Sequence, residues 1–410
     1  MSEFIDNRSH RIRTMKDIIK HLHEGGETEE VKSRLKKLVK ETDSTEIAAM
    51  EQELINEGMP VEEVQSMCDL HSGVLREILV ESVRPEVQPG HPVETFSREN
   101  KAIQDQIDTI REILETIQKS DASELPDERN NLLAALGLLE DIDKHYMRKE
   151  FLLFARLEKY GITGPSTVMW GKDDEAREFL TNFHAAVSES GNSKSALLDV
   201  ILKHAEIALR AIKEMIFKEE NILLPLSLNT LTETDWAEIY NLTPEYGWCL
   251  VEPGADYVPA VEIPGPEKIS ISEDKALAFD TGALTPSQLT GLLDALPVDL
   301  TFVDNDGIVR YFKHGPEPAF QRNRAILGRH VLNCHPPKSG NVVQQILDDF
   351  AEGRQDVAEF WIEFRGKFIH IRYFAVRDKD GKFLGTMEMT QDLTRLRKID
   401  GERRLLSYAE

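Results

Sequence analysis

Cysteine is scarce. Cys68, Cys249 and Cys334 are far apart and odd in number, which excludes a disulfide framework and any Cys-x-x-Cys zinc or redox motif. Long apolar runs are missing as well: no stretch approaches the ~18 residues of a membrane helix, and Met1 to Arg13 is charged where a secretory leader has an apolar core. Positive charge is in deficit, with 49 Lys and Arg against 73 Asp and Glu, and the net −24 repels phosphate backbones and anionic headgroups. The basic run Lys32 to Lys40 reads as a solvated helix face. No Ser-His-Asp order, phosphate loop, dinucleotide Gly-x-Gly-x-x-Gly or zinc-protease motif is found. The expectation is a cytoplasmic chain that binds no nucleic acid, crosses no membrane and is not an enzyme.

What is present is helical periodicity, over a length that accommodates about two to four domains. Ile12, Met15, Ile18, Ile19 and Leu22 recur at helical spacing before Gly25-Gly26. A second helix carries Val31, Leu35, Leu38 and Val39. A third starts near Asp43-Ser44-Thr45 and stops at Gly58, and a fourth runs from Pro60 to about Val83. On the fourth, Cys68 and His71, with Asp69 beside them and His91 beyond the linker, suit either a soft metal or a buried thiol with a hydrogen-bonded histidine. Arg84 to Pro92 holds three prolines and a glycine and reads as a boundary. Helices follow over Val93 to Ile117, Glu128 to Lys159, Asp173 to Ser188 and Ser195 to Leu223. Gly161 to Gly171 reads as a loop, and Pro225 as the stop of the last helix.

Two segments in this region read as copies of each other: His145-Tyr-Met-Arg-Lys149-Glu150-Phe-Leu-Leu153-Phe154 and Met215-Ile-Phe-Lys-Glu219-Glu220-Asn-Ile-Leu223-Leu224. Each sets potential ligand positions at i, i+4 and i+5, polar in all but Met215, and apolar side chains at i+8 and i+9, on one inward stripe of a helix. At these residues the chain resembles the hemerythrin-like cation-binding (HHE) family, whose motif is His-x-x-x-Glu-Glu followed by an apolar ending. The resemblance implies an up-and-down four-helix bundle and, in intact members, a non-haem di-iron site. The ligands depart from the pattern: Lys149 stands at a carboxylate position, Met215 at a histidine position, Glu99-Asn100 where Glu-His is expected, and Asp173 and Arg177 near expected histidines. The set left for iron or another divalent metal is His145, Glu150, Asp173, Glu219 and Glu220. Lys149 and Arg177 offer the alternative, an ion-pair network that needs no metal.

The run Glu51 to Pro60 followed by Glu62 to His71 resembles domain of unknown function 438, a bacterial family that typically precedes a hemerythrin-like bundle and a PAS domain. Past a connector rich in Pro and Gly, Pro253 to Gly282, the period changes from 3.6 to 2. Strands are expected at Val298 to Phe302 and Ile308 to Phe312 around the turn Asp304-Asn-Asp-Gly307. After a mostly helical stretch, Pro316 to Gly353, come strands at Val357 to Phe364, Phe368 to Val376 and Phe383 to Thr390. That order, with Gly328-Arg329 and Asp392-Leu-Thr394, resembles a PAS sensor domain.

The expected fold is multidomain: an all-α N-terminal domain (1–84), a four-helix hemerythrin-like bundle (91–240), a linker (241–284), an α+β PAS-like domain (285–395) and a C-terminal helix (396–410). Cys334 and His335, ahead of a helix at the expected pocket, and His370 on a central strand are the candidate ligands of a haem or other small molecule. Large apolar groups on both sheet faces around Phe360 to Phe374 lead us to expect a homodimer through this domain, with the terminal Leu393 to Leu406 packing as an amphipathic helix. The functional expectation is a sensor or signalling adaptor that reads a small ligand, metal or redox or gas signal and passes it to a protein partner. The alternatives are an iron-handling or oxygen- or nitric-oxide-reactive di-iron protein, and an oligomerising scaffold.

Overall fold

A computed structural model of the chain describes residues 10–18, 46, 50, 52–55, 57–59, 63–64, 87–254, 256–261 and 276–402. In the N-terminal region 10–18 is helical and buries Ile12, Met15 and Ile18, as the spacing requires. Met50, Leu54 and Val64 are buried as well, and Arg11 pairs with Glu46 (Nε to Oε2, 2.8 Å). The helix expected around Val31 to Val39, and Cys68, Asp69 and His71, lie outside the described residues.

Four antiparallel rods form the bundle. The first is α1 (Pro92–Lys119). Its N-cap is His91, whose Nδ1 accepts from the Val93 N–H at 3.2 Å while the ring packs on Trp236 and Tyr257. Burial pushes His91 down to about 4, so the cap is a neutral imidazole. The second rod is α2 (Pro126–Leu139), a break at Glu140 and Asp141, then α3 (Ile142–Arg148), a π turn (Lys149–Leu153) and α4 (Phe154–Lys159).

The third rod, α5 (Gly164–Glu189), starts well inside the expected loop. Pro165 sits in the first turn, where its missing N–H costs nothing, and Val168, Met169 and Trp170 bury against the core. The fourth rod is α6 (Lys194–Val200), a π turn (Ile201–Ala205), α7 (Glu206–Lys218), a π turn (Glu219–Leu223) and α8 (Leu224–Thr230). Pro225 does not stop this rod. It falls in the first turn of α8, directly after the π turn, whose wider i→i−5 bonding (Leu224 N–H to Glu219 O) has already displaced the α ladder there.

The two copied segments fold alike: each π turn opens four residues after the segment's first residue, at Lys149 and at Glu219. After α9 (Glu233–Leu242), the first part of the expected linker packs onto the bundle: Tyr246, Cys249 and Tyr257 are buried, and the Tyr257 N–H donates to Pro89 O at 2.9 Å.

The C-terminal unit opens with a hairpin, β1 (Leu277–Phe279) and β2 (Gly282–Leu284), within what reads in sequence as connector, and continues with α10 (Pro286–Ala295). Its sheet consists of β3 (Asp299–Asp304), β4 (Val309–Lys313), β5 (Val357–Phe364), β6 (Lys367–Arg377) and β7 (Phe383–Asp392), antiparallel in the order β4-β3-β7-β6-β5. Two short 3₁₀ turns and α11 (Pro337–Ala351) occupy the crossover expected to be mostly helical.

The turns between β3 and β4 and between β6 and β7 use one device. Asp304 Oδ1 accepts from the N–H groups of Asp306 and Ile308, Asp378 Oδ1 accepts from those of Asp380 and Lys382, and Gly307 and Gly381 supply the positive φ. The expected C-terminal helix is corrected in its described part: Leu396–Lys398 is a single 3₁₀ turn, Ile399 is extended and exposed, and 403–410 lies outside the described residues. Leu396 and Ile399 are both exposed, so this turn buries no apolar stripe along which a helix would be held.

Candidate functional site

The bundle interior is ionic. His145, at the C-terminal end of α3, is fully buried with both ring nitrogens on carboxylates: Nδ1 lies 2.8 Å from Glu99 Oε2 and Nε2 lies 2.8 Å from Glu219 Oε2. Two acceptors require two N–H donors, so the ring is an imidazolium. Burial opposes that charge, but Glu219 and Glu99 outweigh it and raise the histidine above its ordinary value. Glu99 is also held by Arg148 and by the Cys249 N–H (2.8 Å).

One turn on, the Lys149 ammonium donates to Asp173 Oδ1 (2.7 Å) and to Glu219, and stands 4.3 Å over the Tyr146 ring. Burial alone would raise Glu219; Lys149 and His145 instead bring it down to about 2. Burial pushes Asp173 well up, against the pull of Lys149, and its Oδ2 has no partner. Arg177 grips Glu150 with two parallel bonds (2.7 and 3.0 Å) and reaches Asp143 (2.9 Å). Glu220 accepts from Asn100 Nδ2 (3.0 Å) and Ser97 Oγ (3.2 Å).

Of the five candidate ligands, the structure joins three: His145 bonds Glu219 directly, and Lys149 links Glu219 to Asp173. Glu150 and Glu220 are held apart, each with partners of its own. Glu99 and Arg148, outside the five candidate ligands, are equal members of this network. The Glu99-Asn100 pair on the inward stripe of α1 was the available signal. Glu99, Asp173 and Glu219 meet His145, Arg148 and Lys149, while Arg177 pairs with Glu150, Asp143 and Asp174. Among the described residues no group of three or more His, Cys, Asp or Glu is arranged to hold a metal ion. The residues as arranged do not fit a divalent metal: the Lys149 ammonium stands between Asp173 and Glu219, and a metal would have to displace it and a proton of His145 as well.

The PAS-type unit has its own polar cluster. Opposite residues of β6 and β7, Tyr373 and Glu388, share a face with Val303 and Thr386. Together with Val331, His335, Val343, Ile346 and Leu347 they line a cavity of about 20 Å³. Glu388 is buried, paired with Arg322, and accepts from Thr390 Oγ1 at 2.8 Å. Thr386 Oγ1 is buried with no partner. Of the residues expected to ligate here, only His335 lines the cavity, and its Nδ1–H donates to Val331 O (2.8 Å). Cys334 Sγ lies 3.8 Å from His330 O, and His370 pairs with Glu359 on the neighbouring edge strand (2.6 Å). A space that admits about one water does not fit a porphyrin, and these three residues do not converge on one.

Family models match three stretches: a family of unknown function (DUF438) over residues 15–81, the hemerythrin HHE cation binding domain over 91–227 and a PAS domain over 289–394. No curated protein matches the chain. Among solved structures, a C-terminal domain from Streptococcus mutans is 32% identical, covering 31% of this chain and 99% of that one, with a TM-score of 0.30. A sensory box sensor histidine kinase from Vibrio cholerae is 18% identical over 26% of this chain and 89% of that one (TM-score 0.21). The PAS domain of a Colwellia psychrerythraea protein is 14% identical over 27% and 97% (TM-score 0.22). No helix among the described residues is long and apolar enough to cross a membrane. The chain thus carries, in this order, a DUF438 region, a hemerythrin HHE domain and a PAS domain.

Proposed function

We propose that this chain is a non-enzymatic sensor or signalling adaptor whose PAS domain reads a small polar ligand. One observation carries the reading: the cavity is apolar except where Glu388, Thr386, His335 and Tyr373 converge, and the Thr386 hydroxyl there is buried without a partner. Apolar walls with a few convergent polar groups are the lining of a small-ligand site; at about 20 Å³ the cavity has to open to admit one, and the ligand's hydrogen bond would recover the about 1–3 kcal/mol that an unpaired buried hydroxyl costs. Arg322 fixes the Glu388 carboxylate, so the pocket presents an oriented acceptor beside that hydroxyl.

The signal passes to a second copy and to a protein partner through the outer strands. On β5 Val357, Phe360, Trp361 and Ile362 are exposed, and an unpaired edge of this kind favours association.

The test is methyl NMR of the full chain against a panel of small polar compounds, following Val303, Val331 and Val343. Wild type should shift with at least one compound, and Thr386→Leu, which fills the cavity, should not. Equal response from both proteins, or none from wild type, overturns the proposal.

A further inference from the structure

Lys149 sits where the repeated segments disagree most. The segment starting at His145 has Lys149 at i+4, and the segment starting at Met215 has Glu219 there; both residues open a π turn and both point into the same centre. The Lys149 side chain is wholly buried and its ammonium bridges Asp173 and Glu219. A lysine in such a place is a compact point charge on a flexible stem, able to satisfy carboxylates from several directions.

We infer that Lys149 is a tethered substitute for a bound cation: it neutralises the central carboxylates so that the bundle folds without metal, and it is the residue that keeps the centre closed to one. A divalent ion could reach Asp173 and Glu219 only by displacing a wholly buried ammonium that is bonded to both, and breaking a buried ion pair is costly. With the ammonium gone, Asp173 would present two unpartnered oxygens and Glu219 one, since its other oxygen stays on His145. A glutamate at 149, repeating what the second segment already has at 219, would add a third carboxylate. An all-oxygen set of that kind suits a hard ion such as Mn²⁺.

The experiment uses the full chain as wild type, Lys149→Glu and Lys149→Met, stripped with EDTA and dialysed against Mn²⁺, with metal content and bundle melting as readouts. Wild type should retain no stoichiometric Mn²⁺ and melt identically in EDTA and in Mn²⁺. Lys149→Glu should take up about one Mn²⁺ per chain and gain roughly 5–10 °C at a hundredfold excess over its Kd. Lys149→Met should melt below wild type in EDTA, because two buried carboxylates lose their shared partner. Stoichiometric Mn²⁺ on wild type with EDTA-sensitive melting overturns the inference, and so does a folded Lys149→Glu that takes up none. If Lys149→Glu folds in neither condition, the other two proteins decide: Lys149→Met as stable as wild type refutes the role given to the ammonium.

Discussion

Replacing His145 by Ala tests the ionic interior most directly. The imidazolium is fully buried and donates two charge-assisted hydrogen bonds of 2.8 Å, and its ring meets Phe96 edge-on at 5.0 Å. Such bonds contribute about 1.5–3 kcal/mol each, but neither acceptor would be wholly orphaned. Glu99 keeps Arg148 and the Cys249 N–H, and Glu219 keeps Lys149. The loss should therefore be that of breaking one buried pair, about 3–5 kcal/mol, with a fall in melting temperature of roughly 6–20 °C. The assay is urea unfolding followed by the fluorescence of Trp170, Trp236 and Trp248, the first two of them buried, in a Trp361→Phe background that removes the exposed indole of the other unit. A double-mutant cycle with Glu99→Gln isolates the pair. A loss under about 1 kcal/mol, within the range of an ordinary surface change, would mean that His145 is not a charged member of the network.

Three further outcomes are expected. Burial would raise Glu388, but Arg322 outweighs it, so its folded pKa lies below the unfolded one; the stability it contributes is present above the ordinary carboxylate range and is lost as pH falls through the folded value. Glu388→Gln should therefore lower stability at neutral pH and flatten the acid limb of the pH profile, and profiles that run parallel would refute the pairing. Gly385 has φ +151°, and a Cβ there would collide with the Val303 carbonyl oxygen across the β3–β7 ladder. Gly385→Ala should cost about 2–4 kcal/mol and lower hydrogen-exchange protection along β3 and β7; unchanged protection would defeat the argument. Trp361→Glu should shift the full chain from dimer toward monomer in sedimentation, whereas a wild-type monomer at high micromolar concentration rules out association through β5.

Periodicity alone marked out the four long rods of the bundle and the five strands of the larger sheet. The 3.6-residue stripe from Val93 onward can bury only as packed helices, and the alternation after Val298 only as strands. Asp304 to Gly307 and Asp378 to Gly381 name their turns because a local Asp carboxylate and a glycine at positive φ suffice to make them. Local signals failed where a longer-range contact overrode them. Gly164-Pro165 reads as a loop yet opens α5, because the bundle buries Trp170. Pro225 reads as a stop yet lies inside a rod, because a π turn precedes it. Tyr246 to Tyr257 has a connector's composition, but Cys249 and Tyr257 find burial against the bundle.

The candidate site divides in the same way. The repeat placed His145, Lys149, Glu219 and Glu220 on inward faces, since spacing along one helix is a local property. Which charge meets which is decided between helices. That Lys149 reaches both Asp173 and Glu219, that Glu99 rather than Glu150 shares His145, and that Arg177 claims Glu150 all depend on side chains from separate rods converging in space. Sequence spacing carries no information about that convergence, and it is what turns a metal-ligand pattern into a closed network of ion pairs.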